Sequence, residues 1–157
     1  MVREFLDKHQ SPTARAVGYY ELATNLTESG EDLDSALDFA SRALAAAPEE
    51  LKPYPLAALG WVHYKRQEFD RAIDCLRRSS ERAAAPTTFQ HLGMAYLAAG
   101  RLEDAKASFH KAKTAARGGK LEDRVMQQVR SNLRLVEKVG PKKKPLTRPK
   151  SKIQNHK

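Results

Sequence analysis

The sequence predicts an all-α fold of antiparallel helix pairs stacked into an array, and three observations predict it. Among 157 residues there are 23 Ala but only 2 Ile and 7 Val, so the strongest helix former is abundant where the β-branched residues of a sheet are scarce. The chain also aligns with itself at an offset of 33 residues: Leu56-Ala-Ala-Leu59-Gly60-Trp-Val-His63 falls on Phe89-Gln-His-Leu92-Gly93-Met-Ala-Tyr96, and Ala72-x-x-x-Leu76 falls on Ala105-x-x-x-Phe109. In each copy the glycine precedes the alanine by the same 12 residues, so the unit keeps its internal layout as well as its ends.

These residues resemble the tetratricopeptide repeat, a unit of about 34 residues with a large residue, Leu-Gly, Tyr, then Ala-x-x-x-Phe and a closing Pro at fixed spacing. Three units cover residues 16–50, 53–85 and 86–117. The third matches every core position except the last proline. The second has His63 in place of Tyr, and its proline, Pro86, comes about two residues late. The first is looser. Tyr19, Leu22, Ala23 and Leu26 fill its first helix, Ala36, Ala40, Ala43 and Pro48 fill its second, and Ala40 is smaller than the usual aromatic. The resemblance implies a right-handed α-solenoid over residues 1–139, in which the first helix of each pair lines a concave surface.

Taken in order, the elements follow from local signals. Ser11-Pro12 opens a helix over 12–28, with an N-cap hydroxyl followed by proline in the first turn, and Gly30 closes it. Helices then follow over 33–47, 54–66, 69–83, 87–99 and 102–116. Leu56, Leu59 and His63, like Phe89, Leu92 and Tyr96, recur at three- and four-residue spacing and line one face. Gly60, Gly93, Ala72 and Ala105 are small where paired helices must touch. A seventh helix over 120–139 carries Leu121, Val125, Val129, Leu133 and Val136 in an apolar stripe flanked by Arg124, Gln127, Gln128, Arg130, Arg134 and Lys138, the pattern of a cap for the open end of the array, with a docking helix for a partner as the alternative. Residues 140–157 are rich in Lys and Pro without apolar period and read as a disordered basic tail.

The formal charge of +9 is unevenly spread. Residues 1–60 carry −5, while residues 141–157 hold seven basic groups and no acid. That division separates an acidic front from a basic tail. No apolar run is long enough to span a bilayer, and the opening residues include acids where a secretory leader would be basic and then apolar, so a cytoplasmic location is expected. The single Cys75 excludes an internal disulfide and a cysteine metal cluster, and reads as a small buried hydrophobe. His63 sits at a repeat core position, and His110 has no acidic or histidine partner at ligand spacing. Gly118-Gly119 lacks any phosphate-loop context. Catalysis, cofactors and metals are therefore not expected.

Binding is the class these features favour. By the resemblance, the concave face is formed by Tyr20 and Thr24 from unit one, Tyr54, Trp61, Tyr64 and Lys65 from unit two, and Gln90, His91 and Met94 from unit three, with Glu21, Thr27, Ala57, Thr87 and Leu97 beside them. Rigid aromatics in a groove suit an extended or helical peptide; the alternative for Trp61 and Tyr64 is packing against the neighbouring repeat. Repeat domains that hold chaperone tails clamp the carboxylates with Lys, Arg and Asn. Tyr20, Thr24, Trp61, Thr87 and His91 stand at the matching positions, so chaperone C-terminal tails are not expected as partners. The alternative is a nucleic-acid or ribonucleoprotein factor attached through Lys142, Lys143, Lys144, Arg148, Lys150 and Lys152, a polyanion-binding set with no aromatic to stack on bases.

Overall fold

The computed structural model describes residues 11–116 and 120–139. Within them the chain forms seven α-helices and no strand: α1 (Pro12–Ser29), α2 (Leu33–Ala46), α3 (Pro53–Lys65), α4 (Phe69–Arg82), α5 (Pro86–Ala98), α6 (Leu102–Ala115) and α7 (Lys120–Val139). Each expected helix is present with its ends within one residue. A short 3-10 turn at Glu49–Leu51 links α2 to α3 and had no signal in the repeat pattern. The basic tail, with its six candidate polyanion residues, lies outside the described residues.

The helix ends show why the chain folds into pairs. Ser11 caps α1 by accepting from the Ala14 N–H, and Asp32 does the same for α2 through the Ser35 N–H at 2.9 Å. Pro53 and Pro86 occupy the first turns of α3 and α5, so Pro86 opens unit three instead of closing unit two. At the other ends, Glu68 N–H donates to His63 C=O and Arg101 N–H to Tyr96 C=O, at 2.9 and 2.8 Å. Each of these six-residue closures needs a left-handed residue just before the donor, and Gly100 supplies one at φ 75°. In unit two the equivalent residue is Gln67, at φ 63°.

Pairs α1/α2, α3/α4 and α5/α6 make the most extensive contacts, and successive pairs stack through α2 on α3 and α4 on α5. The first helices also touch one another, α1 with α3 and α3 with α5, so they form one layer. A Cβ on Gly60 would lie 2.5 Å from Leu76 Cγ, and one on Gly93 would lie 2.5 to 2.9 Å from three atoms of the Phe109 ring. Large residues of the second helices thus seat directly on the glycines. Unit one solves the same contact differently, with Ala23 opposite Ala40, both fully buried in one cluster. The small Ala40 is therefore matched to the methyl that replaces a glycine.

The last helix closes the array. Val125, Val129 and Val136 are buried against Phe89, Ala105, Phe109 and Ala112, with Leu133 packed alongside. Arg124, Gln127, Gln128, Arg130, Arg134 and Lys138 remain exposed, which completes the two-faced pattern of a cap.

Candidate functional site

The inner layer carries two clefts that share one residue. The larger, about 400 Å³, is lined from α1 by Tyr20, Thr24, Thr27 and Glu28, from α3 by Ala57, Ala58 and Trp61, and from α5 by Thr87, Thr88 and His91. The second, about 320 Å³, is bounded by the first turns of α1, the 3-10 turn and the start of α3, with Val17, Tyr20, Leu51 and Tyr54 on its walls. Tyr20 lines both. Val17 and Tyr54 are about half exposed, at 46% and 54%, and leave apolar surface open there.

Trp61 organises the larger cleft. Its indole N–H donates to Glu28 Oε1 at 2.9 Å, and its ring stacks on His91 at 3.9 Å between centroids and on Tyr64 at 4.7 Å. Lys65 Nζ lies 5.3 Å from the same ring. One half-buried side chain thus contacts units one, two and three. Burial pushes the His91 imidazole down to about 4, with the Lys65 ammonium adding to the effect, so the ring is neutral at pH 7. Thr24 and Thr27 turn their hydroxyls back onto the helix, donating to Tyr20 C=O at 2.8 Å and to Ala23 C=O at 2.6 Å.

Of the residues expected on the concave face, Tyr20, Thr24, Trp61 and His91 converge on the larger cleft, Tyr54 lines the smaller one, and Lys65 flanks Trp61. Gln90 and Met94 line neither cleft. Gln90 is only 9% exposed, and Met94, with Leu97, packs against the Phe89 and Phe109 cluster. The reason for Met94 is positional: α5 is the first helix that also packs on α7, whose valines complete the cluster that takes up Met94 and Leu97. Tyr64 is divided, stacking on Trp61 and leaning on Phe69 while packing against the Ala72 and Leu76 cluster. Glu28, Ala58 and Thr88 line the cleft without having been singled out. Glu28 was the one with a findable signal, since it lies one heptad after Glu21 on the face that carries Thr24.

His63 proves to be more than a packed substitute for Tyr. Its Nδ1 lies 2.7 Å from Glu68 Oε2, and Arg66 bonds the other oxygen of that carboxylate at 3.0 Å while also reaching Asp34 of α2. Arg66 first and His63 second hold the Glu68 carboxyl down at about 2. One repeat later Tyr96 and Arg101 occupy the same positions, and the guanidinium lies over the ring at 4.6 Å. Cys75 is partly buried beside the unit-one cluster, and burial raises its thiol pKa. Among the described residues no group of three or more His, Cys, Asp and Glu side chains is placed to hold a metal ion.

Solved structures share this fold. The type III secretion translocator chaperone SycD of Yersinia enterocolitica superposes with a TM-score of 0.69 at 18% identity, over 85% of this chain and 90% of that one. PcrH in complex with the chaperone-binding region of PopD gives 0.67 at 16% identity, over 77% and 90%. The first tetratricopeptide repeat domain of Spaghetti (RPAP3), bound to the HSP90 peptide SRMEEVD, gives 0.66 at 15% identity, over 82% and 94%. The fold is a tetratricopeptide-type helical repeat. No family model matches the chain, and no curated protein matches it significantly by sequence. In this tetratricopeptide-type array the five positions compared with a carboxylate clamp, Tyr20, Thr24, Trp61, Thr87 and His91, all line one cleft and bring no fixed cation to it.

Proposed function

We propose that the chain is a non-catalytic adaptor that binds a partner peptide or helix on its concave face. The observation that carries this reading is the pair of clefts joined at Tyr20, in which Tyr20, Tyr54, Trp61 and His91 offer ring surface between the first helices. Aromatic side chains with few rotatable bonds gain contact area at small entropic cost, and partly exposed ones retain surface to bury. The solved structures of like fold support it, because SycD is described as a chaperone, PcrH was solved with the chaperone-binding region of PopD, and the Spaghetti domain was solved with a peptide. A cytoplasmic site of action accords with a single Cys75 that has no intrachain partner, since thiols stay reduced there.

The test uses the full chain and peptides selected on it from a random 12-residue library. Tyr20→Ala is the informative variant because Tyr20 lines both clefts without carrying the inter-repeat contacts of Trp61. Affinity for a selected peptide is expected to fall by about 1 to 3 kcal/mol with little change in melting temperature. Unchanged affinity would place binding away from this face.

A further inference from the structure

The charged side chains lining the two clefts are of one sign. Among the described residues these are Glu21 and Glu28, and no Lys or Arg lines either cleft. Both are exposed residues of α1, and with Thr24 between them they form a stripe at positions 21, 24 and 28. Seven residues of helix set them about 10 Å apart along the axis of α1. Trp61 fixes one end of this pair by donating to Glu28 Oε1, while Lys65 lies over the Trp61 ring and not in the cleft wall. Beside Glu21 lies the apolar recess between Val17 of α1 and Tyr54 of α3.

Resting on the groove reading above, we infer that the concave face selects a peptide that joins an apolar anchor to two cations, and that Glu21 and Glu28 are its specificity determinants. The apolar side chain fills the recess beside Tyr54, and the cations meet the two carboxylates. In an extended peptide, at about 3.3 Å per residue, those cations stand three residues apart. An acidic segment meets like charge at both sites. Opposite-sign groups along a groove steer association and reject wrong partners more than they add raw affinity, which is the behaviour of a selectivity element.

The experiment pans a random 12-residue peptide library on the full chain at low salt and synthesises the leading sequence. The expected winners pair Leu, Ile or Phe with two Lys or Arg three residues apart. Such a peptide is expected to bind about two- to fivefold more weakly to Glu21→Gln and to Glu28→Gln, and to weaken as salt rises. Glu28→Gln keeps an acceptor for Trp61, so the melting temperature stays put. Winners that lose affinity in Tyr20→Ala but show no preference for cations, or that favour Asp and Glu, would overturn this inference and leave the groove reading standing. Winners indifferent to Tyr20→Ala, or no enrichment at all, would overturn both.

Discussion

The Trp61 indole N–H donates to Glu28 Oε1 at 2.9 Å across the boundary between the first two repeats, while the face of the same ring rests on His91 of the third. A residue so placed serves the stack as well as the groove. Trp61→Ala is expected to lower stability by about 2 to 4 kcal/mol, so any loss of binding in it comes with a loss of melting temperature. Trp61→Phe keeps a stacking ring, drops the hydrogen bond and should cost about 1 kcal/mol. Urea unfolding of the two variants checks the difference; an unchanged Trp61→Ala midpoint would mean that the ring is not an inter-repeat contact.

The glycine contacts predict a ranking. Gly93→Ala puts a methyl within 3 Å of three atoms of the fully buried Phe109 ring, whereas Gly60→Ala meets one atom of Leu76 that closely. Both should destabilise by about 1 to 3 kcal/mol, with Gly93→Ala the worse, because a buried ring yields less than a branched aliphatic chain. Phe109→Leu introduced into Gly93→Ala should recover part of the loss. Thermal melts of Gly60→Ala, Gly93→Ala, Phe109→Leu and the double variant decide it, and additive losses in the double variant would refute the contact.

Much of this was legible in the sequence because a repeated register carries its own check: Gly60 with Leu76 and Gly93 with Phe109 appear at one offset. Ala40 looked like a departure from the pattern. It could not be read alone, because its size is set by Ala23 across the helix pair. The concave face was legible only in part. Gln90 and Met94 share the helix of His91, and Met94 is drawn into the cluster that α7 completes, a relationship with no trace in local spacing. Ser79 was missed for the same reason. Its buried hydroxyl donates to Pro53 C=O at 2.7 Å, 26 residues away, at a position where the other units place Ala43 and Ala112.

Gln67 predicts a gain. Its φ of 63° is the conformation that Gly100 supplies one repeat later, and an L side chain pays for it in steric strain. Gln67→Gly should stabilise by about 0.5 to 1 kcal/mol, and Gly100→Gln should destabilise by a similar amount. Urea midpoints of the pair give both signs.

Acid sensitivity follows from His91. Its imidazole titrates at about 4 in the fold against an ordinary 6.5, so as pH falls below 6.5 the unfolded chain takes up the proton first. The contribution is fully present above that range and is lost as pH approaches 4. Between pH 7 and pH 5 the loss is about 2 kcal/mol. His91→Gln removes this slope. The Glu68 carboxyl, held at about 2, adds a separate loss only below its ordinary 4.5. Denaturant midpoints at pH 7, 6 and 5 separate the two, and parallel profiles for wild type and His91→Gln would contradict the assignment.

The central claim is that the face formed by α1, α3 and α5 is where a partner sits. Trp61 is the single tryptophan of the chain, so its indole N–H gives one resolved cross-peak in a nitrogen-proton correlation spectrum, and that proton lies in the cleft wall on Glu28. Titrating the labelled full chain with a selected 12-residue peptide should shift the Trp61 indole peak together with the amides of Tyr20, Thr24 and His91. Shifts confined to α2, α4, α6 or α7, with the indole peak unmoved at saturation, would contradict the account.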